Sequence, residues 1–248
     1  MALFTDRGLI RCDFLIAADG AGSRVRRLTG CFNGFEAGFA VEGIADRAAS
    51  TTPPMGFDFD PVNGGYGWVF PKGETINVGL YRQRGDIAPR RGELIAYAGL
   101  RLGRTPVRRI VGQALGMGGW RYRPGYGRIL LTGDAAGLVD PLLGEGLYHA
   151  VISGQHAAAA VADAAASGRD ACRGYAEAIR PIQHELHFSD WLGEAFYLYP
   201  RAGYLLLISP AFRVALMGGF AQGLTLPASL LNGYRFWLGR GRMTRTGA

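Results

Sequence analysis

The spacing of hydrophobic and polar residues changes several times along this chain of 248 residues. Two short apolar runs, at residues 14–18 and 129–131, each end in a turn that contains Asp and Gly, and each predicts a buried strand. Between them, Tyr66, Trp68 and Phe70 alternate with other residues, so on a strand they share one face. An alanine-rich stretch that follows residue 146 predicts a helix.

These patterns predict an α/β (α+β) fold whose first domain is built from two separate stretches, residues 1–33 and 121–168. The first stretch holds the end of a hairpin and an Asp-Gly turn. Residues 34–120 contain short strands between turn signals and predict an inserted antiparallel sheet. The turn signals lie at residues 53–54, 63–65 and 72–73. Residues 169–248 predict a helical region. Its expected breaks are at Pro181, Pro200, Pro210 and Pro227.

The stretch 128–146 holds the first candidate site. A carboxylate such as Asp134, at the carboxyl end of a strand, can accept a hydrogen bond from a ligand hydroxyl. Gly144 and Gly146 lack a Cβ, so the backbone can approach a flat ring closely. The following helix directs free N–H groups and the positive end of its dipole toward the same place. We therefore predict that a polar, electron-accepting cofactor binds here. The predicted contacts are Gly133, Asp134, Pro141, Gly144, Glu145 and Gly146.

A second candidate site follows the first buried strand. Asp19 and Gly20 can turn the chain sharply, and Ser23 can cap the helix that carries Arg24 and Arg26. On its own, an Asp-Gly pair before Ser is usually a simple turn. Its distance from the Gly133-Asp134 turn, with a middle domain between them, favours a shared site.

A third candidate site is the aromatic stretch from Tyr66 to Lys72. Tyr66, Trp68 and Phe70 predict a hairpin whose aromatic face covers an apolar cavity. Lys72 is the single lysine, beside 26 arginines. Because the two side chains differ in shape and hydration, a lysine kept at this position indicates a special role.

Together, these three stretches resemble the FAD-dependent oxidoreductases related to aromatic hydroxylases. The Pro141–Gly146 loop and the Tyr-x-Trp-x-Phe-Pro-Lys stretch are most similar to the geranylgeranyl reductase family. The resemblance implies a partial FAD-binding domain with an inserted substrate-binding sheet. It implies FAD near Asp19, Gly20 and Asp134, and an isoprenoid or prenyl-lipid substrate near the aromatic face and Lys72.

The activity that the resemblance implies is reduction of carbon–carbon double bonds in an isoprenoid chain by hydride transfer from reduced FAD. An external donor such as NAD(P)H or ferredoxin would reduce the flavin again. The sequence identifies no catalytic residue and no proton donor. It predicts no metal site, and we expect the four histidines to be structural.

Two other interpretations remain open. A flavin-dependent monooxygenase or halogenase would share the Asp-Gly and Gly-Asp turns. Alternatively, the chain could be a non-catalytic fragment that holds FAD only with a separate N-terminal part. Family members begin with a strand, a Gly-x-Gly-x-x-Gly turn and a helix that bind the pyrophosphate, and we find no such unit in this sequence.

Charge is distributed unevenly along the chain, whose formal net charge is +7. No acidic residue follows Glu194, whereas six arginines do, among aromatic residues and leucines. This C-terminal region could rest on anionic lipid headgroups, or its helices could pack on the core and leave a solvated basic tail. We expect a cytoplasmic protein, with peripheral membrane contact as one alternative, and no binding to nucleic acid.

Overall fold

The computed structural model describes residues 1–32, 35–47, 53–59, 61–83 and 88–237. The strands are β1 (Ala2–Thr5), β2 (Gly8–Arg11), β3 (Leu15–Ala17), β4 (Glu36–Asp46), β5 (Gly56–Phe59), β6 (Gly65–Lys72), β7 (Thr75–Arg82), β8 (Val107–Met117), β9 (Gly125–Tyr126) and β10 (Ile129–Leu131). The helices are α1 (Arg24–Thr29), α2 (Arg91–Leu102), α3 (Leu147–Ser167), α4 (Ala171–Leu198), α5 (Pro200–Ile208), α6 (Pro210–Ala221) and α7 (Leu226–Trp237). The predicted mixed fold is confirmed.

A small sheet joins the beginning of the chain to its middle. Strand β3 pairs in parallel with β10, and β10 pairs antiparallel with β9. The backbone N–H of Thr132 extends this ladder by donating to the carbonyl oxygen of Ala17 at 3.0 Å. The core beneath it includes Leu130 and Leu131 from β10 and Tyr175 and Ile179 from α4.

A five-stranded antiparallel sheet with the strand order β5-β6-β7-β4-β8 lies between these two stretches of chain. The predicted hairpin is present as β6 and β7, which pair from Gly65–Arg82 to Lys72–Thr75. Helix α2, which the sequence analysis did not predict, packs Leu94, Tyr97 and Ala98 against the sheet. Their i, i+3, i+4 spacing is that of a helix face, although three charged residues and two glycines within α2 weaken the pattern.

The C-terminal region is helical, with one correction. The predicted break at Pro181 is wrong, because Pro181 lies inside α4. Pro181 lies on the exposed side of the helix. Ile179 and Ile182 are buried on the core side, and their packing stabilises the helix despite the missing N–H of the proline. The other three prolines, Pro200, Pro210 and Pro227, each stand in the first turn of a helix, where proline is favoured.

Within the described part of the chain, no single helix is long and apolar enough to cross a membrane. One bent pair, Pro200–Ile208 with Phe212–Ala221, reaches the required length and composition only when its two helices are taken together, across a bend of 72°.

The hairpin generates the first prediction. A Cβ on Gly79 would lie 2.0 Å from the Trp68 ring, so we expect Gly79→Ala to lower the free energy of unfolding by about 1–3 kcal/mol through overpacking. Gly99→Ala is the control, because its added Cβ would meet no described atom within 4 Å outside its own helix, and the position is exposed. We expect this change to be neutral or to stabilise by up to about 1 kcal/mol. Urea unfolding measures both, and equal effects would contradict the packing account.

Candidate functional site

The two Asp-containing turns meet at the carboxyl edge of β3 and β10. Because these strands are parallel and in register, Asp19 and Asp134 each follow a strand that ends at the same edge. Asp134 is half-buried, and its Oδ2 accepts the backbone N–H of Gly116 at 3.0 Å. Gly133 has a φ of 54°, and its N–H donates to the Ser153 hydroxyl at 3.0 Å, which fixes the turn against α3.

Asp19 caps α1. Its Oδ1 accepts the Ser23 hydroxyl at 2.6 Å, and its Oδ2 accepts the backbone N–H groups of Arg24 and Val25 at 2.8 and 3.2 Å. Burial raises the pKa of Asp19, but these hydrogen bonds outweigh it, so the pKa lies below its ordinary value. Ser23 caps the helix as predicted, since its side chain accepts from the Arg26 N–H. The carboxylate of Asp19 is therefore already bound within the protein.

Arg26 joins the two turns. Its guanidinium donates to the carbonyl oxygens of Ala21 at 2.6 Å and Ala135 at 2.9 Å, and it lies 3.4 Å from the centroid of the Phe35 ring. Only 4% of Arg26 is exposed. The planar fork of arginine suits two carbonyl groups held side by side. No local pattern in the sequence indicates this role of Arg26, because its partner in the turn after β10 is 109 residues away.

The loop from Asp140 to Gly146 is fixed internally before it reaches α3. Asp140 Oδ1 accepts the backbone N–H groups of Leu142 at 2.9 Å and Leu143 at 2.8 Å. The backbone N–H of Gly144 donates to the Asp140 carbonyl, and Gly144 has a φ of 67° that favours glycine. Glu145 Oε1 accepts the backbone N–H of Tyr148 at 3.0 Å, in the first turn of α3.

Three tyrosine hydroxyls hold three successive carbonyl groups of this loop. Tyr81 donates to the carbonyl of Pro141 at 2.7 Å, Tyr197 donates to Leu142 at 2.8 Å, and Tyr66 donates to Leu143. Burial raises the pKa values of Tyr66 and Tyr197, and the charge of Asp140 adds to both shifts. The hydroxyls therefore stay protonated and remain donors, which clamps the loop between the sheet and α4.

The loop glycines meet protein atoms rather than open space. A Cβ on Gly144 would lie 3.0 Å from the Tyr81 ring, and one on Gly146 would lie 2.9 Å from Val139. Internal packing is therefore one reason for glycine at both positions. The predicted close approach of a ring to this backbone remains a prediction.

The aromatic face of β6 is present, and Lys72 lies at its far end. Tyr66 and Trp68 have ring centroids 6.0 Å apart, and Trp68 and Phe70 have centroids 6.2 Å apart. The Trp68 indole also donates to Asn77 at 2.6 Å. Lys72 is exposed next to the turn that joins β6 to β7, so it stands at the rim of this face and outside its packed centre.

A cavity of about 340 Å³, which no sequence pattern predicted, lies on another side of the loop. Asp140, Glu145 and His149 line it together with residues of α4 and of the α6–α7 connection. Asp140 is 7% exposed, and burial raises its pKa despite the loop N–H groups it binds. His149 was expected to be structural. Among the described residues, however, its buried Nδ1 has no hydrogen-bond partner, and the nearest carboxylate oxygen, on Glu145, is 4.0 Å away.

Comparisons with known proteins agree with this architecture. No family model matches the chain. It is 33% identical over 199 residues to an uncharacterized protein of Methanosarcina barkeri, covering 78% of this chain and 51% of that protein. It is 36% identical over 159 residues to digeranylgeranylglycerophospholipid reductase 1 of Methanopyrus kandleri, covering 59% of this chain and 42% of the reductase. The chain is homologous to the geranylgeranyl reductases.

Solved structures support the same fold. A geranylgeranyl bacteriochlorophyll reductase-like protein of Thermoplasma acidophilum superimposes with a TM-score of 0.67 and 24% identity, over 79% of this chain and 54% of that one. A flavin-dependent brominase superimposes with a TM-score of 0.65 and 18% identity, over 94% and 65% of the two chains. The chain spans about half the length, or less, of the curated relatives that it matches.

The raised pKa of Asp140 predicts how the stability of the protein depends on pH. Because its folded-state pKa is raised, the stability linked to its protonated form is present below about pH 4 and is lost as pH rises through the folded-state value. Asn cannot ionise, and its Oδ1 can still accept the loop N–H groups. We therefore expect Asp140→Asn to gain stability relative to the parent as pH rises from about 4 to 8.

Urea unfolding at several pH values measures this difference. Asp13→Asn, at a side chain that is 88% exposed, controls for the loss of one carboxylate elsewhere. A difference between Asp140→Asn and the parent that stays constant across the pH range would contradict the prediction.

Proposed function

We propose that this protein is an FAD-dependent oxidoreductase that reduces carbon–carbon double bonds of an isoprenoid chain. One observation carries the proposal: the parallel pairing of β3 with β10 brings the Asp19-Gly20 and Gly133-Asp134 turns to one edge of a sheet. The loop from Asp140 to Gly146, which precedes α3, follows the second of these turns in the chain. Homology to proteins named for digeranylgeranylglycerophospholipid and geranylgeranyl diphosphate reduction supports the substrate class.

The described residues fit a flavin. Asp134 offers a half-buried carboxylate, which suits a ribityl hydroxyl. Gly20 has a φ of 77° and open space around it, so a ligand can approach its backbone. The loop that carries Pro141, Gly144, Glu145 and Gly146 would bound the ring, held by the three tyrosines. When bound, FAD would supply the hydride for the double bond.

The residues of this chain would position the cofactor and substrate. Arg26 and Ser153 hold the two turns in place, while Tyr81 and Tyr197 keep the loop from moving. The aromatic face of Tyr66, Trp68 and Phe70 would exclude water from an isoprenoid chain. Lys72, at the exposed rim, would face the polar end of the substrate. NAD(P)H or ferredoxin would serve as external electron donor.

A flavin titration tests the proposal. We expect the purified chain to bind FAD, and we expect Asp134→Asn to weaken binding about tenfold to hundredfold through loss of a charge-assisted hydrogen bond. Asp163→Asn is the matched control, because Asp163 lies near the other end of α3 and pairs with Arg169. Absorbance and fluorescence of the protein fraction report the bound flavin.

Several outcomes would argue against the proposal. Equal FAD affinity of Asp134→Asn and the parent would show that the Asp134 carboxylate does not contribute to FAD binding. Binding that requires an added N-terminal chain with Gly-x-Gly-x-x-Gly would support the fragment interpretation. Oxygen and NAD(P)H consumption with halide, and without isoprenoid reduction, would support a halogenase or monooxygenase.

We also propose that helices α5 and α6 rest on an anionic membrane surface, where prenyl lipids are found. Large apolar side chains are exposed on both helices, including Leu205 at 64%, Val214 at 56% and Met217 at 65%. Their charged residues are Arg201 and Arg213, and no acidic residue occurs there. The side chain of Arg235 and residues 238–248, which carry the remaining arginines, lie outside the described part of the chain.

Vesicle flotation tests membrane contact. We expect binding to phosphatidylglycerol vesicles that weakens at high salt, and we expect Met217→Asp to reduce it about tenfold because a charge enters the apolar surface. Ala158→Asp adds the same charge at an exposed position of α3 and should leave binding unchanged. Equal loss in both variants, or no binding by the parent, would contradict this proposal.

A further inference from the structure

The cavity behind the loop has a polar end and an apolar end. Asp140, Glu145 and His149 form the polar end near the start of α3, with Glu185 and Ser189 from α4. Its volume of about 340 Å³ lies within the range of about 300–1,000 Å³ that is usual for small-molecule sites. The cavity is therefore large enough for a ligand and shares Glu145 with the predicted flavin loop.

His149 indicates that something polar belongs in this cavity. Its side chain is 7% exposed, and its Nδ1 has no hydrogen-bond partner among the described residues. A buried polar atom without a partner costs about 1–3 kcal/mol. A ligand group that hydrogen-bonds to Nδ1 would remove that cost. It would also lie close to the Glu145 carboxylate, 4.0 Å from the same atom.

The carboxylates determine the charge that the ligand can carry. Asp140, Glu145 and Glu185 all line the cavity, and the described residues that line it include no arginine or lysine. Each already accepts a hydrogen bond from the protein, as Glu185 does from the Thr225 hydroxyl at 3.1 Å. An anionic group in this space would be repelled by like charges. A neutral hydrogen-bond donor such as a hydroxyl would avoid that repulsion.

The other end of the cavity is apolar. Leu143 and Leu186 line it from the loop and α4. Phe220 of α6, Leu224 of the α6–α7 connection and Leu226 of α7 complete the lining. Leu186 and Leu226 are buried. This end would take hydrocarbon, and α6, one of the two helices that we propose to lie on the membrane, contributes Phe220 to it.

We propose that this cavity binds an uncharged amphiphile, an apolar chain that ends in a hydroxyl, and that it rejects the corresponding phosphate. The isoprenoid nature of the chain rests on the proposed function; the preference for alcohol over phosphate rests on the lining. The cavity thus gives the protein a second ligand site, distinct from the aromatic face of β6.

Equilibrium binding to the full chain without FAD tests this inference, with farnesol and farnesyl monophosphate as probes, by calorimetry at pH 7.5. We expect farnesol to bind at least tenfold more tightly than the monophosphate. Glu185→Gln removes one negative charge, so it should narrow that preference about threefold to tenfold. His149→Phe should weaken farnesol binding about twofold to tenfold through loss of one hydrogen bond.

A filling substitution shows whether binding occurs in this cavity. Leu224→Trp should reduce farnesol affinity at least tenfold, whereas Leu231→Trp, at a position that is 51% exposed, should not. Circular dichroism verifies that each variant folds, and if Leu224→Trp does not fold, His149→Phe decides the location. Tighter binding of the monophosphate, or farnesol binding unaffected by both cavity variants, would overturn the inference.

The flavin titration separates this inference from the proposed function. FAD binding without farnesol binding would overturn the cavity inference alone. If farnesol binds, Leu224→Trp blocks that binding, and FAD does not bind, the cavity inference is supported and the proposed function is contradicted.

Discussion

Two strands of three residues each, Leu15–Ala17 and Ile129–Leu131, connect parts of the chain that are more than 100 residues apart. The two acidic turns of the proposed cofactor site depend on this parallel pairing, because it sets the positions of both. So short a ladder is weak alone. Arg26 reinforces it by binding the carbonyl groups of Ala21 and Ala135. The cost of burying that guanidinium is offset only while both turns stay in place.

Hydrogen bonds join the antiparallel sheet to the loop from Asp140 to Gly146, which belongs to the domain that contains β3 and β10. Tyr66 and Tyr81 reach the loop from β6 and β7, and Tyr197 reaches it from α4. A hydroxyl that binds a carbonyl group fixes backbone, not a side chain. The aromatic face proposed for the substrate and the loop proposed for the flavin are therefore held at a defined separation, which the chemistry of hydride transfer requires.

Residues with strong local patterns could be predicted from the sequence, and residues with distant partners could not. The alternation of Tyr66, Trp68 and Phe70 predicted the hairpin, because period-two burial is a local property. The break predicted at Pro181 was wrong, since burial of its helical neighbours outweighs the missing hydrogen bond. His149 gave no signal as a binding group, because its lack of a partner depends on α4 and on the distant α6–α7 connection.

The sequence by itself determined the mixed fold, the homology to flavin-dependent reductases and the residues of the two acidic turns. These follow from short-range patterns, because turn chemistry, strand alternation and helix caps act within a few residues. Only the tertiary structure decided that Asp19 binds the N-terminus of α1. It alone also showed that three tyrosines hold successive carbonyl groups of the Asp140–Gly146 loop, and that an acidic cavity lies beside that loop. Burial and hydrogen bonding between distant segments set these features, and no local spacing in the chain encodes them.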